Sequence, residues 1–293
     1  MKTNREHIKG VLMTVIALAL IVGMIWKDIQ ATTALAMEPV DEVESTSYVP
    51  ETPVETTPVI TEPQPEIVSY EDFMAGIYDD YSYESYEKLF TMYDYEQFMT
   101  RSPIPQYFQS LYPDTRFADG TIRSSGCGIT CLAMISSYLY GETITPDMLT
   151  MDYKGDNPAV VLERWVTDDY LGIRMDMYYG NDARTQFDIA MENGNPVILL
   201  HRAPNSIFTD GGHFIVVAGM TEDGRYIVND PNMWNLRCFD ADCHHAKKGE
   251  PCPYVDEYMY GFTREQLMQG LVGTYVFDTK DEFDGDPARL PHR

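Results

Sequence analysis

From Gly10 to Trp26 the chain runs 17 residues with Thr14 as the one polar side chain, and Lys2, Arg5 and Lys9 stand just before the run. Such a segment is apolar on every face and does not fit the one-sided pattern of a helix packed against a water-soluble core. As a helix it spans about 26 Å, against a hydrocarbon thickness of roughly 30 Å, so it can just cross a bilayer. Basic residues stay on the cytoplasmic side, which predicts a single-pass cell-membrane protein with the following chain extracytoplasmic. Ala34-Leu35-Ala36 has the small-residue spacing of a cleavage site but lies beyond Lys27 and Asp28. An uncleaved signal-anchor over residues 1–36 is therefore expected, in preference to a cleaved signal that would leave the protein secreted.

Between Glu38 and Glu66 the chain is built of Pro, Thr, Val and Glu with no Lys or Arg. No hydrophobic period is present, so residues 37–68 read as an extended, self-repelling stalk. Residues 69–102 form an acidic Tyr-rich arm, in which Phe73, Ile77, Leu89, Phe90 and Phe98 suggest short amphipathic helices. The arm reads first as packing on the surface of the following domain, and second as a partner-binding or cleft-covering segment. The whole chain carries 46 acidic against 21 basic residues, a formal charge of -25. That balance disfavours phosphate backbones, so nucleic acid is not an expected partner.

Residues 103–280 carry a mixed globular pattern, followed by a tail over 281–293. Leu132 to Tyr140 reads as a helix closed by Gly141, Pro158 to Tyr170 as a second, and Asp182 to Glu192 as a third ended by Asn193-Gly194. Pro196 to His201, His213 to Gly219, Arg225 to Asn229 and Thr274 to Asp278 read as strands. Asp223-Gly224 joins the second and third of these as a hairpin. Helices precede antiparallel strands, which gives the α+β class.

Within this domain, Ser124-Ser125-Gly126-Cys127-Gly128 directly precedes a predicted helix. A thiol becomes a good nucleophile as thiolate, which a helix N-terminus and a nearby imidazolium both favour. The unpaired N–H groups there can also hold a developing oxyanion. His213 opens a strong strand after Asp210-Gly211-Gly212, and Asp230 closes the partner strand of the hairpin, so the carboxylate is positioned to orient the imidazole. Cys127 as nucleophile, His213 as base and Asp230 as orienting group form a feasible triad.

The stretches Ile104-Pro105-Gln106-Tyr107-Phe108-Gln109, Gly120 to Gly128, Leu132-Ala133-Met134, Gly212 to Val217 and Val228-Asn229-Asp230-Pro231 together resemble the double-glycine (bacteriocin-leader) peptidase-like family of papain-fold proteins. The resemblance implies a papain-like cysteine peptidase fold, with a nucleophile helix packed on an antiparallel sheet. It also implies Gln109 as oxyanion-hole donor beside Cys127, His213 and Asp230, with no cofactor and a peptide or protein substrate.

Competing assignments exist for several of these positions. His201 ends a strand and is the rival base, ranked second because no hairpin partner brings a carboxylate beside it. Gln106 competes with Gln109. Cys131, four residues into the helix, reads as a buried small hydrophobe. Cys238, Cys243, His244, His245 and Cys252 match a four-ligand zinc site in stoichiometry but not in spacing, and a disulfide has equal standing. Three functions remain: a cysteine peptidase cutting peptide or isopeptide bonds, an amidase of the same mechanism acting on cell-wall peptides, or a catalytically idle binding module.

Overall fold

A computed structural model describes residues 68–77, 80–150, 171–233 and 254–290. The apolar run, the stalk, the helix expected over 158–170 and the Cys/His loop lie outside the described residues. Among the described residues no helix is long and apolar enough to cross a membrane.

The arm forms helices α1 (Tyr70–Ala75), α2 (Asp80–Met92) and α3 (Tyr95–Met99). Ser69 and Asp94 cap α1 and α3, each side chain accepting from a backbone N–H in the first turn, which satisfies donors a helix start leaves unpaired. A short ribbon, β1 (Arg116–Phe117) and β2 (Gly120–Thr121), leads into α4 (Ile122–Ser125) and then α5 (Cys127–Tyr140). Further along lie α6 (Pro146–Thr150), β3 (Met175–Tyr179) and α7 (Asn181–Asn193). Strands β4 (Val197–Arg202), β5 (Gly212–Met220) and β6 (Tyr226–Asn229) follow. Helices α8 (Val255–Tyr260) and α9 (Arg264–Met268) precede β7 (Leu271–Phe277).

Five strands make one antiparallel sheet in the order β3-β7-β4-β5-β6. Alternate residues of a strand face opposite sides, and both sides are covered. Ile198, Phe214 and Val216 pack with Leu132 and Ile135 of α5. On the other side Val197, Leu199, Ile215 and Val217 pack with Phe187 of α7 and with Phe73, Tyr86, Leu89 and Phe98 of the arm. The mixture of helices with an antiparallel sheet fits an α+β peptidase fold.

The arm contributes core rather than decoration. Phe73 and Tyr86 meet Phe108 with ring centroids 5.0 and 5.1 Å apart, and Tyr93 donates to the Asp256 carboxylate of α8. Leu89 and Phe98 are completely buried. Aromatic burial on this scale carries a large share of a small domain's hydrophobic stabilisation.

The strands expected from the sequence all form. β3 does not stand out in the sequence, because its residues Met-Asp-Met-Tyr-Tyr are mostly outward-facing on a sheet edge and include no β-branched side chain. The nucleophile helix begins five residues earlier than the apolar period suggests, at Cys127 itself, and ends at Gly141 in the left-handed region, φ 69°.

Candidate active site

Two short helices meet at Gly126. Its N–H donates to Ile122 O at 2.7 Å, ending α4, while its carbonyl accepts from Thr130 N at 2.9 Å, starting α5. A side chain has no room here, since a Cβ at 126 would stand 2.4 Å from Ile122 O. The tight corner makes Cys127 the first residue of α5, partly exposed, with the helix N-terminus behind its thiol.

His213 and the backbone N–H groups of Phe214 and Gly128 stand close enough to the sulfur to act on its ionisation. Burial alone would raise the Cys127 pKa, but the imidazolium and these N–H groups outweigh it and hold the thiol below its ordinary range. His213 Nε2 lies 2.8 Å from Asp230 Oδ1, which leaves Nδ1 as the ring nitrogen for the sulfur. Burial opposes charge on His213, yet Asp230 and Cys127 prevail and raise its pKa to about 10.

Asp230 is buried and fully engaged. Oδ1 also accepts from Asn232 N and Met233 N, both at 2.8 Å, and Oδ2 accepts from the Tyr258 hydroxyl at 2.8 Å. Burial works against its charge, but His213, the backbone donor of Asn232 and Tyr258 keep the carboxyl below its usual range. Both carboxylate oxygens are satisfied as acceptors.

Behind Asp230 lies Arg101. Its guanidinium donates to Phe98 O at 2.6 Å, Val228 O at 2.7 Å, Tyr258 O at 3.0 Å and Gln106 Oε1 at 3.3 Å, and it stacks on the Phe98 ring at 3.8 Å. Gln106 in turn donates to Asp230 O at 2.9 Å. One cation thus ties the arm, the end of β6 and α8 together and, through Gln106, holds the main-chain carbonyl of Asp230; burial lowers its pKa to about 9. Neither Tyr258 nor Arg101 was apparent from the sequence. The only cue for Tyr258 was its apolar spacing with Val255 and Met259 in a short helix.

Cys127, His213 and Gln109 line one cleft of about 580 Å³, whose walls also include Leu200, Phe208 and Phe214. Gln109 is held by its backbone N–H on Pro231 O at 2.9 Å and by Nε2 on Arg123 O at 2.7 Å. The Arg123 carbonyl requires the nitrogen end of the amide on that side, and a second N–H of Nε2 remains for another acceptor. Gln106 lines a different cavity, between the arm and residues 103–112, and both donor contacts of its amide are to backbone carbonyls. Of the two glutamines, Gln109 lines the cleft of Cys127 and His213.

His201 is completely buried, with Nδ1 3.1 Å from Gln269 O and its ring edge-on to Phe208. Burial pushes its pKa down to about 4, so it is neutral. Cys131 is fully buried and burial, together with the negative charges of Cys127 and Asp230, pushes its thiol well up. Among the described residues no cluster of three or more potential metal ligands occurs.

The geometry assembled here can deliver a thiolate to a bound carbonyl and a proton to a leaving group. Residues 101–242 match the model of the Peptidase_C39 like family. No curated protein matches the chain.

Proposed function

Given a chain that belongs, through residues 101–242, to the Peptidase_C39 like family and is therefore a cysteine-type peptidase, we propose that it hydrolyses peptide or isopeptide bonds with Cys127 as nucleophile and His213 as base. The observation that carries this reading is the His213 ring, 2.8 Å from buried Asp230 Oδ1 and lining the same cleft as Cys127. The thiolate attacks the scissile carbonyl carbon, and the carbonyl π electrons move to oxygen. That oxyanion is met by N–H groups in the first turn of α5 and by the spare N–H of Gln109. Collapse of the adduct breaks the C–N bond, and the His213 imidazolium gives its proton to the leaving amine. Water, deprotonated by the same imidazole, then attacks the thioester, breaking the C–S bond to release the acyl group as a carboxylic acid and restore the thiolate–imidazolium pair.

The apolar run from Gly10 to Trp26 and its basic flank support placement of the domain outside the cell membrane, tethered by the N-terminal segment. Cell-wall peptide crosslinks are then within reach as isopeptide substrates.

The test is labelling of the full-length protein with a thiol-reactive probe, followed by peptide mapping and assay on peptide substrates. Cys127→Ala is expected to abolish both labelling and hydrolysis, whereas Cys131→Ala retains them. Loss of both only in the Cys131 variant would overturn the assignment. Labelling of intact cells by a membrane-impermeant form of the probe checks the extracytoplasmic placement, which fails if only lysed cells are labelled.

A further inference from the structure

Among the described residues that line the cleft, Arg202 is the one with a permanently charged side chain. The cleft is lined by the apolar Leu200, Phe208 and Phe214 and by small polar groups, and among the described residues no carboxylate side chain lines it. Asp210 sits between two lining residues, Thr209 and Gly211, without lining the cleft itself.

The register explains why the guanidinium faces an open space. Leu200 and Arg202 lie two residues apart on β4 and so present to the same side of the sheet, the side on which Cys127 and Leu200 pack. Leu200 is opposite Phe214, which fills its cross-strand position, but Arg202 is opposite Gly212. A Cβ at Gly212 would meet nothing within 4 Å. On the β5 side the cross-strand side chain that would cover an arginine is therefore missing, and Gly212 lines the cleft; on the β7 side Arg202 acts on Tyr275. Arg202 is exposed, and no carboxylate partner for it is found among the described residues.

We propose that Arg202 is a specificity-determining residue that selects peptides bearing a carboxylate close to the scissile bond, with the adjoining chain of the substrate lying against the apolar wall. The inference rests on Cys127 being the nucleophile, since it concerns what binds beside that thiol. Planar guanidinium matches a carboxylate with two parallel hydrogen bonds, and low-polarity walls strengthen the attraction relative to open water. The chain's net charge of -25 repels acidic peptides at long range, so the cation acts at contact distance and confers choice rather than capture. The carboxylate can be an acidic side chain or a free C-terminus.

Two matched pairs of alkylating reagents test this without a known substrate. N-iodoacetyl-Glu-amide against N-iodoacetyl-Gln-amide reports a side-chain carboxylate. N-iodoacetyl-Gly acid against N-iodoacetyl-Gly-amide reports a terminal one. The rate of alkylation of Cys127 in the full-length protein is followed by mass spectrometry, and the carboxylate-to-carboxamide ratio is compared between variants. That ratio is expected to fall up to about fivefold in Arg202→Gln for at least one pair, the scale of an exposed charge pair. It should fall further in Arg202→Glu and be retained in Arg202→Lys. The imidazolium of His213 favours carboxylates in every variant and cancels in the comparison. Equal ratios for wild type and Arg202→Gln in both pairs overturn the proposal. If instead Cys127 alkylates no faster than a free thiol, the nucleophile assignment fails, and the ratios in that slow reaction still decide the role of Arg202.

Discussion

His201 and His213 stand directly opposite each other on β4 and β5, and their pKa values are shifted in opposite directions. Both are buried, and burial disfavours the imidazolium of each. Asp230 overrides that penalty at His213, raising its pKa to about 10, whereas His201 faces a backbone carbonyl and is pushed down to about 4. Proximity to one carboxylate, rather than depth, sets the two imidazoles apart.

The pH profile of thiol reactivity follows from this pairing. The Cys127 pKa lies below its ordinary value and that of His213 above. Falling pH protonates the thiolate at a lower pH than in a free thiol, and rising pH discharges the imidazolium only towards about 10. Alkylation by iodoacetamide should therefore persist well below pH 8. Asp230→Asn removes the charge that supports His213, so the alkaline limb of hydrolysis is expected to move down by about 1 unit or more. A limb that stays in place would show that Asp230 does not set the His213 charge.

His201→Leu should keep alkylation of Cys127 within about threefold of wild type. The variant loses the contact with Gln269 O, which predicts a destabilisation of about 1 kcal/mol in urea unfolding. Complete loss of reactivity in a folded protein would make His201 the base.

Tyr258→Phe deletes the donor to Asp230 Oδ2 and leaves a buried carboxylate oxygen short of a partner. Unfolding experiments should register about 1–3 kcal/mol of lost stability. The Asp230 pKa rises towards its ordinary value as that hydrogen bond disappears. The pH below which activity collapses should consequently move up, as read from the acid limb of the rate profile.

Arg101→Met strips hydrogen bonds from three backbone carbonyls and from Gln106 at once. The expected cost is about 3 kcal/mol or more, because these buried acceptors have no replacement donor. Chemical denaturation measures it, and a change below about 1 kcal/mol would mean that water substitutes for the guanidinium.

Much of this site was legible before any coordinates, and the reason is local. Cys127 announces itself by flanking glycines at a helix start, His213 and Asp230 by the two ends of a strong hairpin. The hairpin predicts their meeting because antiparallel pairing leaves few alternatives. Arg101 and Tyr258 were hidden for the opposite reason. Arg101 acts on carbonyls, which every residue carries, and its partners Val228 and Tyr258 lie more than a hundred residues away. Gln109 and Gln106 are three residues apart in one loop, and only the packing shows which of them reaches the cleft.

The aromatic docking of α1 and α2 on Phe108 has a mechanical corollary. Any tension arriving at Val68 enters the molecule through Phe73 and Tyr86, a short distance in sequence from Gln109 and through Arg101 from Asp230. A shift of the arm would thus be felt at the site, and a fragment beginning at the matched residue 101 would lack the packing that steadies it.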